Sequence, residues 1–273
     1  MEKLDTTKFK TKKELFDFLV KNRDMLITQK KADIKHADGV PYVDTDVSVE
    51  IVKKNDVANG NDDEINVKAV INTTNILDSH GDVHINGIWN KSLKENTMIM
   101  HLQEHKMAFD KIISDGDDLQ VSAKMYDWQT LGFNFKGQTQ VLLFESSVKA
   151  ERNQYMFEQY KKDRVNNHSV GMQYVKMVLA INDDEYGAEF EAWEKYFPMI
   201  VNGNAAEEKG YFWAIKEAKV IEGSAVPLGS NFATPTISVK DNLLTMISTS
   251  LNEPSPTLDK ADNMNIFFNN LNF

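Results

Sequence analysis

The sequence contains no cysteine. Disulfide bonds, thiolate metal sites and cysteine nucleophiles are therefore excluded, and any covalent chemistry falls to other side chains. Proline is scarce, with 6 in 273 residues, and Pro254 and Pro256 stand close together in the polar stretch NEPSPTLDKADN, which reads as a linker. No apolar run approaches the ~20 residues that a membrane-spanning helix needs. The N-terminal MEKLDTTKFKTKKE carries no apolar stretch of the signal-peptide kind. Together these point to a soluble protein used inside a cell, with no membrane partner. Basic residues are outnumbered, 31 Lys and Arg against 41 Asp and Glu, for a net charge of −10. That balance argues against nucleic acid as the primary ligand, since phosphate binding draws on clustered cations. The short basic group Lys8, Lys10, Lys12 and Lys13 reads as a solvated helix start.

What is present is ordinary for a globular chain: 41% hydrophobic and 26% charged residues, with length enough for a substantial core. Thr11 and Glu14 have capping-box spacing, and Leu15, Phe16, Leu19, Met25 and Leu26 give an apolar face, so a helix is expected over 11–35. Alternating residues then predict short strands, first at Val47, Val49 and Ile51, next from Ile65 to Ile71, and later from Leu119 to Tyr126. Glycine-containing turns separate them. Residues 150–163 predict an amphipathic helix that buries Tyr155, Phe157 and Tyr160. A strand is expected from Val170 to Ile181, a helical insertion over 182–209 closed by Pro198, and a strand over 211–221. The expected organisation is an N-terminal helical extension at 1–38, a main domain at 39–240, and a linker with a tail at 241–273. No internal repeat is visible.

Three short segments carry the candidate chemistry. His105 ends MIMHLQEH, Ser169 lies in NHSVGM and Glu222 lies in KVIEGSAV. A serine, a histidine and a carboxylate are the ingredients of nucleophilic hydrolysis, in which a base takes the hydroxyl proton and a third group orients the base. His101, four residues before His105, competes for the role of base. His168 reads as a loop residue pointing away from Ser169. Asp78, Gly81 and Asp82 read as a turn, and Gly87 as a tight corner. Gly171 reads as a place where substrate backbone approaches the serine strand. A second constellation overlaps the first: His101-Leu-Gln-Glu104-His105 fits H-x-x-E-H, which on a helix would place two zinc ligands on one face with Glu104 as base.

The segments DSHGDVHINGIW, MIMHLQEHKMAFDKI, HSVGM and EGSAVPLGSN, taken in order over residues 65–236, resemble the prohead maturation proteases of tailed bacteriophages, relatives of the herpesvirus assembly proteases. The resemblance implies an α+β, mainly β fold: a β-barrel surrounded by helices, with an N-terminal helix and a C-terminal tail. It implies a serine endopeptidase with Ser169 as nucleophile, His105 as base and Glu222 orienting it, and with no cofactor and no metal. Its implied substrates are the major capsid and scaffold proteins of a procapsid in the host cytoplasm, with autocleavage and self-association expected as well. The alternatives at this point are a zinc-dependent hydrolase built on HLQEH and an inactive capsid-internal structural protein.

Overall fold

The computed structural model describes residues 8–32, 34–36, 63–96 and 98–241. The strand expected at Val47–Ile51 and the tail after 241 lie outside the described residues. The chain opens with two helices, α1 (Lys12–Lys21) and α2 (Arg23–Ala32), and a short strand β1 (Lys35–His36). Strands β2 (Glu64–Thr73) and β3 (Asp82–His84) lead to α3 (Asn90–Glu95) and then β4 (Met100–Gln103). Next come β5 (Ile112–Ser114), β6 (Leu119–Asp127), β7 (Gln138–Lys149) and α4 (Gln154–Lys161). The last elements are β8 (His168–Ile181), α5 (Gly187–Tyr196), α6 (Gly203–Lys209), β9 (Tyr211–Ala225) and β10 (Thr236–Asp241).

These strands divide between two sheets. One runs β1-β8-β9-β4-β5, with β3 added in parallel along β9. The other is antiparallel in the order β10-β2-β7-β6. The sheets pack against each other where Gly223 of β9 meets Phe144 of β7 and Ile71 of β2. A β-carbon at Gly223 would lie 2.6 Å from the Phe144 ring and 2.8 Å from Ile71, so the glycine is what lets the layers close. Among the described residues the expected β-barrel is not formed: both sheets are open and the architecture is mixed α/β. A barrel requires the first and last strands of one sheet to pair, whereas here the strands are shared between two layers. Alternation in sequence reveals which face of a strand is buried but not which strand lies beside it.

The helices follow local chemistry, with two departures from expectation. Thr11 caps α1 by accepting the amide of Glu14 at 3.2 Å, while the Glu14 carboxylate reaches the amide of Lys10 at 2.8 Å. The single helix expected over 11–35 is broken at Asn22, whose side-chain amide donates to the Phe18 carbonyl at 2.8 Å and so competes with the helical ladder. In α4, Asn153 caps the amide of Met156 at 3.0 Å, and the buried stripe is Met156, Phe157 and Tyr160. Tyr155 is exposed rather than buried. Residues 156, 157 and 160 share one helical face, and 155 falls outside it.

A buried polar cluster ties α2 to the larger sheet. Lys30 Nζ lies 2.5 Å from Asp82 Oδ1, and the Tyr174 hydroxyl donates to Asp82 Oδ2 at 3.0 Å. His84 continues the network between Asn72, at 2.9 Å, and Tyr174, at 3.3 Å. The expected turn at 78–82 is present. Asp78 Oδ1 accepts the amides of His80 and Asp82 at 2.8 and 2.9 Å, and Gly81 adopts a left-handed φ of 77°. Residues 182–209 contain α5 and α6, and Glu222 lies inside β9 rather than at a strand end.

Candidate functional site

The site is built at one end of the larger sheet, where β8 begins and β4 and β9 finish. Strands β8 and β9 are antiparallel, with Ser169 opposite Ser224 and Gly171 opposite Glu222. Opposed residues share a face, and so do residues two apart on one strand. Ser169, Gly171, Glu222 and Ser224 therefore occupy one face. Directly opposed residues of such a pair have β-carbons about 4.5–5.5 Å apart, which places Ser169 beside Ser224.

His105 reaches this face by a sharp reversal. Strand β4 runs parallel to β9, Met100 beside Glu222 and Gln103 beside Ala225. The chain then turns: the Lys106 amide donates to the Gln103 carbonyl at 3.1 Å, and Glu104 and His105 have φ of 53° and 57°. Two consecutive left-handed residues define a type I′ turn, a geometry usually reserved for asparagine and glycine. Such residues cost of order 1–3 kcal/mol each and persist where surrounding contacts hold them. The contacts here are explicit. His105 Nδ1 lies 2.6 Å from Glu222 Oε1, and the His105 amide donates to Ser224 Oγ at 3.0 Å. Ser224 Oγ in turn donates to Glu222 Oε2 at 2.6 Å. An ionised carboxylate only accepts, so in the neutral imidazole the proton sits on Nδ1 and Nε2 carries the lone pair. That is the tautomer a general base requires.

Gly171 has a different role from the expected one. A β-carbon there would lie 1.9 Å from Glu222 Oε1 and 2.7 Å from its Cδ. The Glu222 carboxylate itself fills the space, not a substrate backbone.

His101 and His168 lie on the opposite face. His101 stands beside Gly223, and His168 is opposite Ala225. His168 is the first residue of β8, not a loop residue. Both are fully buried. The Tyr160 hydroxyl bridges them, 3.1 Å from His101 Nε2 and 3.0 Å from His168 Nε2. The outer nitrogens meet Ser146 Oγ at 2.9 Å and the Thr234 carbonyl at 2.9 Å. Burial, reinforced by neighbouring His168, pushes His101 down to about 3. This histidine is therefore neutral across the physiological range and committed to the core. The geometry also rules against the H-x-x-E-H reading. HLQEH is strand and turn rather than helix, and its two histidines face opposite sides of the sheet. Among the described residues no group of three or more His, Asp or Glu is placed to hold a metal ion.

The depressed His101 has a consequence for acid stability. In the unfolded chain it titrates near 6.5, so between pH 6.5 and about 3 the unfolded state takes up a proton the native state refuses. Its contribution is complete above pH 6.5 and falls away as the pH drops toward 3, by on the order of 5 kcal/mol. His84, also lowered by burial, acts in the same direction, while Asp78, raised by burial, opposes it at lower pH. Urea unfolding at pH 7 and pH 4.5 is expected to show a clear loss of stability. His101→Gln is expected to be less stable at pH 7 but to lose less on acidification; an unchanged pH slope in that variant would refute the assignment.

Comparison with known proteins yields no match: no family model, no curated protein and no solved structure corresponds to this chain. The resemblance to prohead and herpesvirus assembly proteases is accordingly corrected. The barrel that it implied is absent among the described residues, and three of its four segments are accounted for locally. DSHGDV is a side-chain-capped turn, Gly171 accommodates Glu222, and Gly223 accommodates Phe144. Short runs of glycine, serine and carboxylate serve turns and strand ends on unrelated folds, so they do not identify a family.

Ser224 is the residue that sequence reasoning missed. Its signal was its place two residues after Glu222, which on a strand puts it on the same face.

Proposed function

We propose that the chain is a serine hydrolase acting on extended polypeptide, with Ser169 as nucleophile, His105 as general base and Glu222 as the orienting carboxylate. The observation that carries this reading is the 2.6 Å contact between His105 and Glu222, held on the face of the sheet that also bears Ser169. In this mechanism Nε2 of His105 takes the hydroxyl proton as Ser169 attacks the scissile carbonyl. The same nitrogen then gives the proton to the leaving amine, and Glu222 stabilises the imidazolium between the two steps. Water repeats the sequence to release the acyl group.

Polypeptide is favoured as substrate by the surroundings. Strand β5 ends the sheet beyond β4 among the described residues, and its three residues are buried, so contact with an extended chain falls to the segment before it. Met107 and Phe109, which follow the His105 turn, are 60% and 92% exposed. Large apolar side chains left in water beside a site supply contact area for a partner. A second reading, a binding protein without catalysis, is favoured by Ser169 itself, which is only 2% exposed.

The test is hydrolysis of an unfolded protein substrate by wild type and Ser169→Ala, each with and without a metal chelator, followed by mass spectrometry. Cleavage that is lost in Ser169→Ala and indifferent to the chelator is expected. Cleavage that survives in Ser169→Ala would remove Ser169 from the mechanism.

A further inference from the structure

We infer that Ser224 is a positioning residue that locks the histidine–glutamate couple of the proposed hydrolytic site, and this rests on the reading of that site given above. The side chain is fully buried, and its hydroxyl makes two oriented contacts at once: it accepts the backbone N–H of His105 at 3.0 Å and donates to Glu222 Oε2 at 2.6 Å. With the 2.6 Å contact from His105 Nδ1 to Glu222 Oε1, these bonds close a ring. The ring runs from the His105 backbone through Ser224 to one carboxylate oxygen, and from the other oxygen back to the His105 side chain. Backbone and ring of one residue are thereby tied to the two oxygens of one carboxylate.

Three features give this closure its purpose. His105 and Glu104 are held at φ of 57° and 53°, a left-handed pair that the chain would otherwise relax. The acceptor on the His105 amide is a side chain anchored in β9, so the strained turn is pinned to the strand that also carries Glu222. Both carboxylate oxygens are engaged, so Glu222 cannot rotate away from the imidazole, and the cleft at Gly171 leaves its carboxylate one place to lie. Ser224 touches no substrate in this scheme. It acts through His105 and Glu222, and it stands directly opposite the nucleophile on the neighbouring strand.

Two readouts test this. The first is independent of turnover: the proton NMR signal of His105 Nδ1–H, sheltered between imidazole and carboxylate, assigned by its loss in His105→Ala. The second is the rate at which a fluorophosphonate probe modifies Ser169. In Ser224→Ala, with its melting temperature checked, the Nδ1 proton is expected to broaden or vanish through exchange. Labelling of Ser169 is expected to slow roughly 10- to 100-fold, the worth of a hydrogen bond to a charged group. Ser224→Thr, which restores a hydroxyl, is expected to recover most of both signals. Should Ser224→Ala fail to fold, Ser224→Cys, near in volume and weak as a hydrogen bonder, is expected to give an intermediate rate. Wild-type labelling with a persistent Nδ1 proton in Ser224→Ala or Ser224→Cys overturns the inference while leaving the hydrolase reading intact. A wild-type protein that takes no label overturns the hydrolase reading instead, and the Nδ1 proton alone then decides whether Ser224 holds the couple.

Discussion

His105→Ala is expected to lower hydrolysis by roughly 10³-fold or more, whereas His101→Ala leaves the catalytic rate of the folded protein within a few-fold of wild type. The two histidines are four residues apart but belong to opposite faces of the sheet. His105 is turned onto the face of Ser169 by the left-handed pair at 104 and 105 and bonded to Glu222. His101 is sealed beneath it between Ser146 and Tyr160. Removing His101 strips two buried hydrogen bonds and opens a cavity, so its cost should fall on stability, about 2–4 kcal/mol. Kinetics and urea unfolding of both variants separate the roles. A His101→Ala protein that is stable but inactive would reverse the assignment.

Gly171→Ala is expected to cost roughly 10²- to 10⁴-fold in rate, the scale seen when an orienting carboxylate no longer holds its histidine. The added methyl would sit 1.9 Å from Glu222 Oε1 and 2.7 Å from its Cδ, so the carboxylate or the strand that carries it must shift. Either the carboxylate moves off His105 or the strands separate at the end of the sheet that carries Ser169. Overpacking of this kind also destabilises by about 1–3 kcal/mol. Pairing the change with Glu222→Ala offers a cycle. If Gly171 matters only as the seat of the carboxylate, the double variant is no slower than Glu222→Ala alone. Additive losses would mean that the glycine serves something else, such as substrate approach.

How much of this was legible beforehand varies by residue. The turn at 78–82 and the cap at Thr11 follow from nearest-neighbour chemistry and stand in the sequence for that reason, whereas α4 is shorter at both ends than the helix expected over 150–163. The choice between His101 and His105 was open to inspection, because both fit a strand of the same parity if the strand continues. The chain separates the two by leaving the strand after Gln103, and nothing in Glu-His marks a left-handed turn as Asn-Gly would. The closed barrel was the largest misreading. Alternating apolar residues at 65–71 and 119–126 signal half-buried strands equally well in one closed sheet or in two packed open ones, since pairing partners are set by contacts far apart in the chain. Gly171 invited a reading as a place of substrate approach and is explained instead by the Glu222 side chain that the fold lays across it, while Gly223 makes room for Phe144 and Ile71. Ser224 escaped notice because a serine on a strand is unremarkable until a histidine amide and a carboxylate are seen to converge on it.

The most direct test of the account is covalent capture of the nucleophile. Wild-type protein would be treated with a fluorophosphonate, digested and mapped by mass spectrometry, beside His105→Ala and Ser169→Ala. A single adduct on Ser169, absent in Ser169→Ala and strongly slowed in His105→Ala, is the predicted result. It would establish that the histidine–glutamate couple activates the serine beside it. An adduct on another residue, or a Ser169 that reacts no faster than a surface serine and is indifferent to the loss of His105, would contradict the account.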